Sequence, residues 1–272
     1  MPTESITELV KIAPDTYTFR YINHVAPFIV TDDGVILVDA IGGSNPQTPA
    51  LLKQAIRQVT DQPVKYFVYS HAAADHATGG AVFTDTAQFV AQRNAVDKIA
   101  VLNSPVTPAP TMIFDDEMPI ELGGKRVMLY WAKQWAGDDY LVLHHPESKV
   151  VVAVDIIQAR NVPFRTLFGH PDIIPDRMQW LHDLGDWDML IAGHATPELI
   201  AAPSDVLEQK RYYFDLTDAI AAARAVGLAD NSPEMLAAVQ NTLGSKYGSW
   251  RNWEPWLADN IAGMIKWRAE SA

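Results

Sequence analysis

The chain has 272 residues, no cysteine, 48% hydrophobic and 20% charged residues, and a formal net charge of −12 from 21 Lys+Arg against 33 Asp+Glu. That is the composition of a globular protein long enough for a sizeable core, and it excludes disulfides, cysteine-ligated metal sites and thiol nucleophiles. The acidic balance argues against nucleic acid and anionic lipid as partners.

The opening residues carry early acids and no apolar signal core, and the longest apolar stretch, 149–158, is broken by Asp155 and too short for a bilayer. A cytoplasmic location with no membrane partner is therefore expected. Residues 16–21 and 27–31 read as strands, Asp32-Asp33-Gly34 as a turn, and 35–38 as an apolar run ending at Asp39. Leu51, Leu52, Ile56 and Val59 stand at helical spacing, and 64–69 is strand-like. Residues 35–69 thus predict a βαβ unit with a parallel strand pair. Residues 78–83 and 87–101 read as helix, and 103–111, with Pro105, Pro108 and Pro110, as an exposed connector. A hairpin is expected over 117–133 around Gly123-Gly124, then a second strand pair over 140–145 and 149–157. A long loop (161–175), a short helix (176–184) and a short strand (189–192) lead to Gly193-His194. The rest is helical, over 206–226, 233–243 and 254–269. Trp250, Trp253, Trp256 and Trp267 suit either a helix face packed on the core or a subunit interface.

Three places carry metal-type side chains. The segment His71-Ala72-Ala73-Ala74-Asp75-His76 leaves a predicted strand, and a loop there can aim two imidazoles and a carboxylate at one point. Asp155 lies in the apolar run VVVAVDII, where an unpaired charge is costly and a metal would remove the cost. His194 follows another short apolar strand.

In order and spacing, His71-x-x-x-Asp75-His76, Asp155 and Gly193-His194, with Asp39 ending an early strand, resemble the metallo-β-lactamase superfamily over roughly residues 6–200. The resemblance implies an α/β fold, a four-layer αββα sandwich over residues 1–202, with additional C-terminal helices over 203–272 packed on it as a single structural unit. It implies hydrolysis by water activated on metal. The chain departs from the family's His-x-His-x-Asp-His at Ala73. The family histidine that precedes the second strand pair falls, anchored on Gly137, on Gln134, or on Trp135 with a one-residue shift.

Members usually hold two metals. The first site would keep only His71 and is expected to be empty. The second keeps Asp75, His76 and His194, with Asp155 normally bridging, and is expected to hold one divalent metal, zinc, iron or manganese. Asp75 and His71 are the expected catalytic residues, His71 as general base or hydrogen-bond donor once freed from metal duty. His24, Gln134, Trp135 and His170 are candidates for the substrate pocket. The resemblance implies a hydrolase of a small ester, lactone, thioester or activated ether. The alternative is a non-catalytic subunit paired with a complete paralogue, as in a two-subunit nitroaromatic ether hydrolase. A homo- or hetero-oligomer is expected in either case.

Overall fold

A computed structural model describes residues 7–43, 45–102, 105–165, 167, 171–195 and 199–270. The chain divides into two compact units, one of Met1–Lys133, Asp138–Asp155 and Asp186–Ala195, the other of Gln134–Gly137, Ile156–Gly185 and Thr196–Ala272.

In the first unit, β1 (Thr7–Lys11), β2 (Thr16–Tyr21), β3 (His24–Thr31) and β4 (Gly34–Val38) form an antiparallel run, each strand paired with the next. Helix α1 (Thr48–Val59) then crosses over to β5 (Val64–Val68), which pairs parallel with β4, as the βαβ reading predicts. Pro49 in the first turn presets the helical φ. Leu52, Ala55 and Ile56 are buried with Phe28, Leu37, Phe67 and Phe89. Each large side chain fully buried there contributes about 1.5–3 kcal/mol. The short α2 (Ala74–Ala77) follows β5, and β6 (Gln88–Gln92), α3 (Ala95–Val101) and β7 (Met112–Phe114) complete a seven-stranded sheet.

The second sheet runs β8 (Glu117–Leu122), β9 (Lys125–Trp131), β10 (Leu141–His145), β11 (Val150–Val152) and β12 (Met189–Ile191) within this unit, antiparallel up to β11 and parallel from β11 to β12. The expected hairpin turns at Gly123 and Gly124, at φ +50° and +75°, a pair of left-handed positions that suits the strand twist.

Three local expectations are corrected. Residues 87–101 are not one helix, because Gln88–Gln92 is the buried parallel strand β6 and only Ala95–Val101 is helical. Asp155 is not inside a strand, because β11 ends at Val152 and Asp155 takes φ +58° in the turn beyond. His24 does not precede a strand but is the first residue of β3.

The second unit contains α4 (Ile174–His182), a two-residue strand β13 (Ile200–Ala201), α5 (Pro203–Ala225), α6 (Pro233–Tyr247) and α7 (Trp253–Ala269). Helix α6 starts with Pro233 behind Ser232, whose hydroxyl accepts from the Met235 amide at 3.1 Å. Trp250 packs on Tyr212 and Tyr247, with ring centroids 5.7 and 4.7 Å away. Trp250, in the turn before α7, and Trp253, at its first position, are buried, while Trp256 and Trp267 within the helix are half-buried. The α/β class with two sheets and added C-terminal helices is thus what the chain adopts.

Candidate metal centre

The site collects at the ends of strands of the first unit. Asp39 ends β4 in the left-handed region, at φ +59°, a conformation that costs a side chain roughly 1–2 kcal/mol but that aspartate tolerates better than most. Its carboxylate accepts from the Ser70 amide at 3.0 Å and from the Ser70 hydroxyl at 2.5 Å. Burial pushes its pKa up to about 6, against the pull of His76 and the Ser70 donors. With its one hydrogen given to Asp39, the Ser70 hydroxyl must accept from His71 Nδ1, 2.9 Å away. His71 is therefore protonated on Nδ1, and its Nε2 carries a buried lone pair with no hydrogen-bond partner, 3.7 Å from Asp155 Oδ2. Burial first, and then the His76 charge, lower its pKa to about 4 against nearby carboxylates, which keeps the ring neutral. Tyr140 stacks on it, centroids 4.3 Å apart and planes at 13°.

The motif loop is held from both sides. The amides of Ala40 and Ile41 donate to the His76 carbonyl, and the Ala72 amide donates to Asp139 at 2.9 Å. Asp139 is itself buried and paired with Lys98. Opposite this loop, Gly193 precedes His194 because no side chain fits. A Cβ there would lie 2.5 Å from Val154 Cγ1, 2.8 Å from Asp155 Oδ1 and 2.8 Å from His76 Cε1.

The donor atoms then meet. His76 Nε2 lies 3.2 Å from His194 Nε2 and 3.2 Å from Asp155 Oδ2, and His194 Nε2 lies 3.2 Å from Asp155 Oδ1. Asp75 Oδ2 is 3.6 and 3.9 Å from the same two nitrogens. Ligands at zinc-like bond lengths of about 2.0–2.1 Å stand about 3.3 Å apart in a tetrahedron, close to the spacing of His76 Nε2 and His194 Nε2 from each other and from an Asp155 oxygen. His76 Nδ1 and Asp155 Oδ1 are buried without a hydrogen-bond partner, the latter despite its closeness to His194. Among the described residues, the ion pairs of Asp39, Asp75 and Asp155 are all with histidine.

Charge balance points the same way. Burial opposes charge on His76, yet Asp155, Asp39 and Asp75 outweigh it and hold the pKa at about 9. Burial likewise opposes ionisation of Asp155, but His76 and His194 keep its pKa well below the ordinary value. Asp75 is lowered to about 2, foremost by its hydrogen bond with His24. A proton on His76 answers this negative charge, and a divalent ion bound here would displace it.

Of the residues singled out in the sequence, His71, Asp75, His76, Asp155, His194 and His24 come together. Gln134 is exposed and Trp135 buried, and both belong to the second unit. His170 lies outside the described residues. Ser70 stands beside His71 at the head of the motif and Tyr140 at the start of a predicted strand, but neither is of a residue type that the motif singles out.

A family model described as "Metallo-beta-lactamase superfamily" matches residues 23–194. A linear primary-alkylsulfatase from Pseudomonas sp. (strain ATCC 19151) is 23% identical over 180 residues, 50% of this chain and 34% of that protein. The stereoselective inverting sec-alkylsulfatase Pisa1 from Pseudomonas sp. superposes with TM-score 0.72 and 16% identity over 96% of this chain and 50% of its own. A metallo-beta-lactamase from Pontibacter korlensis does so with TM-score 0.62 and 19% identity over 75% of this chain and 99% of its own. The chain spans about a third of the linear alkylsulfatase and half of Pisa1. At these identities the structural likeness speaks to the fold, the αββα sandwich.

Proposed function

The chain belongs to the metallo-beta-lactamase superfamily, and from that premise we propose that it is a hydrolase with a single-metal site acting on a small ester. The observation that carries this reading is the convergence on His76 Nε2 and His194 Nε2, which stand 3.2 Å apart, each 3.2 Å from one oxygen of Asp155 and 3.6 or 3.9 Å from Asp75 Oδ2. These four would hold the ion, zinc by preference for a mixed imidazole–carboxylate shell, with iron or manganese as rivals. A metal bound there supplies Lewis acidity, acidifying water and polarising an ester oxygen.

The chain's own residues do the rest. His71 offers the neutral Nε2 lone pair that a general base needs, and it is oriented by Ser70 on one edge and by the Tyr140 ring on its face. Asp39 fixes Ser70 and so fixes that tautomer. Sulfate monoesters are the first class to test, because both alkylsulfatases act on such esters by name.

A second reading, a degenerate subunit completed by a paralogue, is favoured by Ala73, and by Gln134 or Trp135, standing where the resemblance places family histidines. Elemental analysis of the purified chain separates the two. About one metal per chain, lost in Asp75→Ala and His194→Ala, together with ester turnover, is expected. No metal after supplementation with zinc, iron or manganese overturns the single-metal hydrolase.

A further inference from the structure

His24 lies outside the motif that delivers the other donors, fifty-one residues before Asp75 in the chain. The backbone nevertheless delivers it to the same point. The Val25 amide donates to the Gly193 carbonyl at 2.9 Å, and the Ala195 amide donates to the Asn23 carbonyl at 2.8 Å. Those two bonds flank His24 and His194 and make them a non-hydrogen-bonded antiparallel pair, the arrangement in which opposed side chains stand closest. Their rings are 4.5 Å apart, and the His24 ring is 5.5 Å from that of His76. His24 Nε2 is 3.2 Å from Asp75 Oδ2, again the edge of a tetrahedron about an ion with bonds of about 2.0–2.1 Å. His24, Asp75, His76 and His194 each place a ligand atom within 4.8 Å of every other.

We propose that His24 is itself a ligand of the metal, taking beside Asp75, His76 and His194 the fourth place that the motif alone would give to Asp155, so that the centre has three histidines where the motif gives two. This rests on the single-metal reading and deepens it. A strand start outside the motif supplies an imidazole in a chain that carries Ala73, and Gln134 or Trp135, where the resemblance places histidines. A third imidazole shifts the shell toward nitrogen, and so toward zinc, iron or cobalt and away from magnesium or calcium.

Cobalt(II) is the probe. The wild-type protein is titrated with it, the visible bands are recorded, and affinity is measured by chelator competition. His24→Gln keeps an N–H that can reach Asp75 and removes the imidazole. With a ligand lost, its bands shift and its affinity falls by more than the 10–100-fold, roughly, that loss of an outer-shell partner costs. Unchanged bands in His24→Gln overturn the proposal and leave His24 as a residue that only orients Asp75.

X-ray absorption of the cobalt-loaded wild type gives an answer that does not depend on how the variant folds. Three imidazoles are expected, and two would overturn the proposal. If the wild type binds neither cobalt nor zinc, the single-metal reading falls, and the proposal with it. Two imidazoles in a wild type that does bind metal remove only the His24 ligand.

Discussion

Two clusters in the first unit bring histidine and carboxylate atoms within 4.8 Å of one another: His24, Asp75, His76 and His194, and Asp15, His145 and Glu147. By residue type they look alike. They differ in what answers the negative charge. In the second cluster Lys125 Nζ stands 3.2 Å from Asp15 and 3.0 Å from Glu147, the Ser148 hydroxyl donates to Asp15 at 2.6 Å, and His145 Nε2 meets Asp15 at 3.0 Å. The carboxylates there already have a cation and their donors. In the first cluster every ion pair among the described residues is with an imidazole. A buried imidazole nitrogen without a hydrogen-bond partner occurs in both, His76 Nδ1 in the first and His145 Nδ1 in the second. The difference is therefore in the cation beside the carboxylates, a lysine ammonium in one cluster and imidazoles alone in the other.

The sharpest way to break this contrast is Gly193→Ala. The new Cβ would sit 2.8 Å from both Asp155 Oδ1 and His76 Cε1, filling the space between donors. Overpacking of this kind costs about 1–3 kcal/mol of stability. Loss of metal from a variant that still folds, read by elemental analysis and circular dichroism, is the larger expected effect. Retention of full metal content would mean that the ion does not occupy this gap.

Asp15→Asn tests the other cluster. It removes an acceptor shared by Ser148, His145 and Lys125, and a cost of about 1–3 kcal/mol in denaturant unfolding is expected, with metal content unchanged. The pH dependence has a definite sign. Burial works against ionisation, but Ser148, His145 and Lys125 outweigh it and hold the Asp15 pKa at about 2, below the ordinary 3.8. A carboxyl lowered on folding stabilises the protein above its unfolded pKa and loses that contribution as pH falls through the folded one. The stability gap between wild type and Asp15→Asn should therefore narrow as pH drops from 3.8 toward about 2. A gap independent of pH would assign the effect to packing.

The parts of the molecule that were legible in the sequence are those governed by local periodicity and by the motif. Helix α1 begins and ends where the apolar spacing of Leu52 and Ile56 places it. Strand β6 was misread because a buried parallel strand is apolar on both faces, and a short apolar run beside a true helix has no period to separate the two. Asp75, His76, Asp155 and His194 were named from the motif and do converge. The closeness of His24 to His194 comes from backbone pairing between segments about 170 residues apart, which no local pattern encodes. Tyr140 reaches His71 in the same non-local way, after the Leu141 amide bonds to the Ser70 carbonyl.

The smallest effect is expected at Glu147. Its side chain is 58% exposed, and its contact with Lys125 is the outermost of the second cluster. An exposed ion pair of this kind is worth about 0.2–1 kcal/mol and is weakened by salt. Glu147→Ala should therefore shift the unfolding midpoint only slightly, and less still in high salt, while Lys125→Met, which also deprives Asp15 of its cation, should cost more. The ranking separates the two accounts of this cluster. If it is an ion-paired latch between Asp15 and the β10–β11 turn, Glu147 is its least important member. If it binds metal, Glu147 is a ligand, and its removal would make the stabilisation by added zinc smaller than in the wild type. An equal zinc-induced shift of the unfolding midpoint in wild type and in Glu147→Ala, with the two within about 1 kcal/mol of each other, places the latch reading ahead.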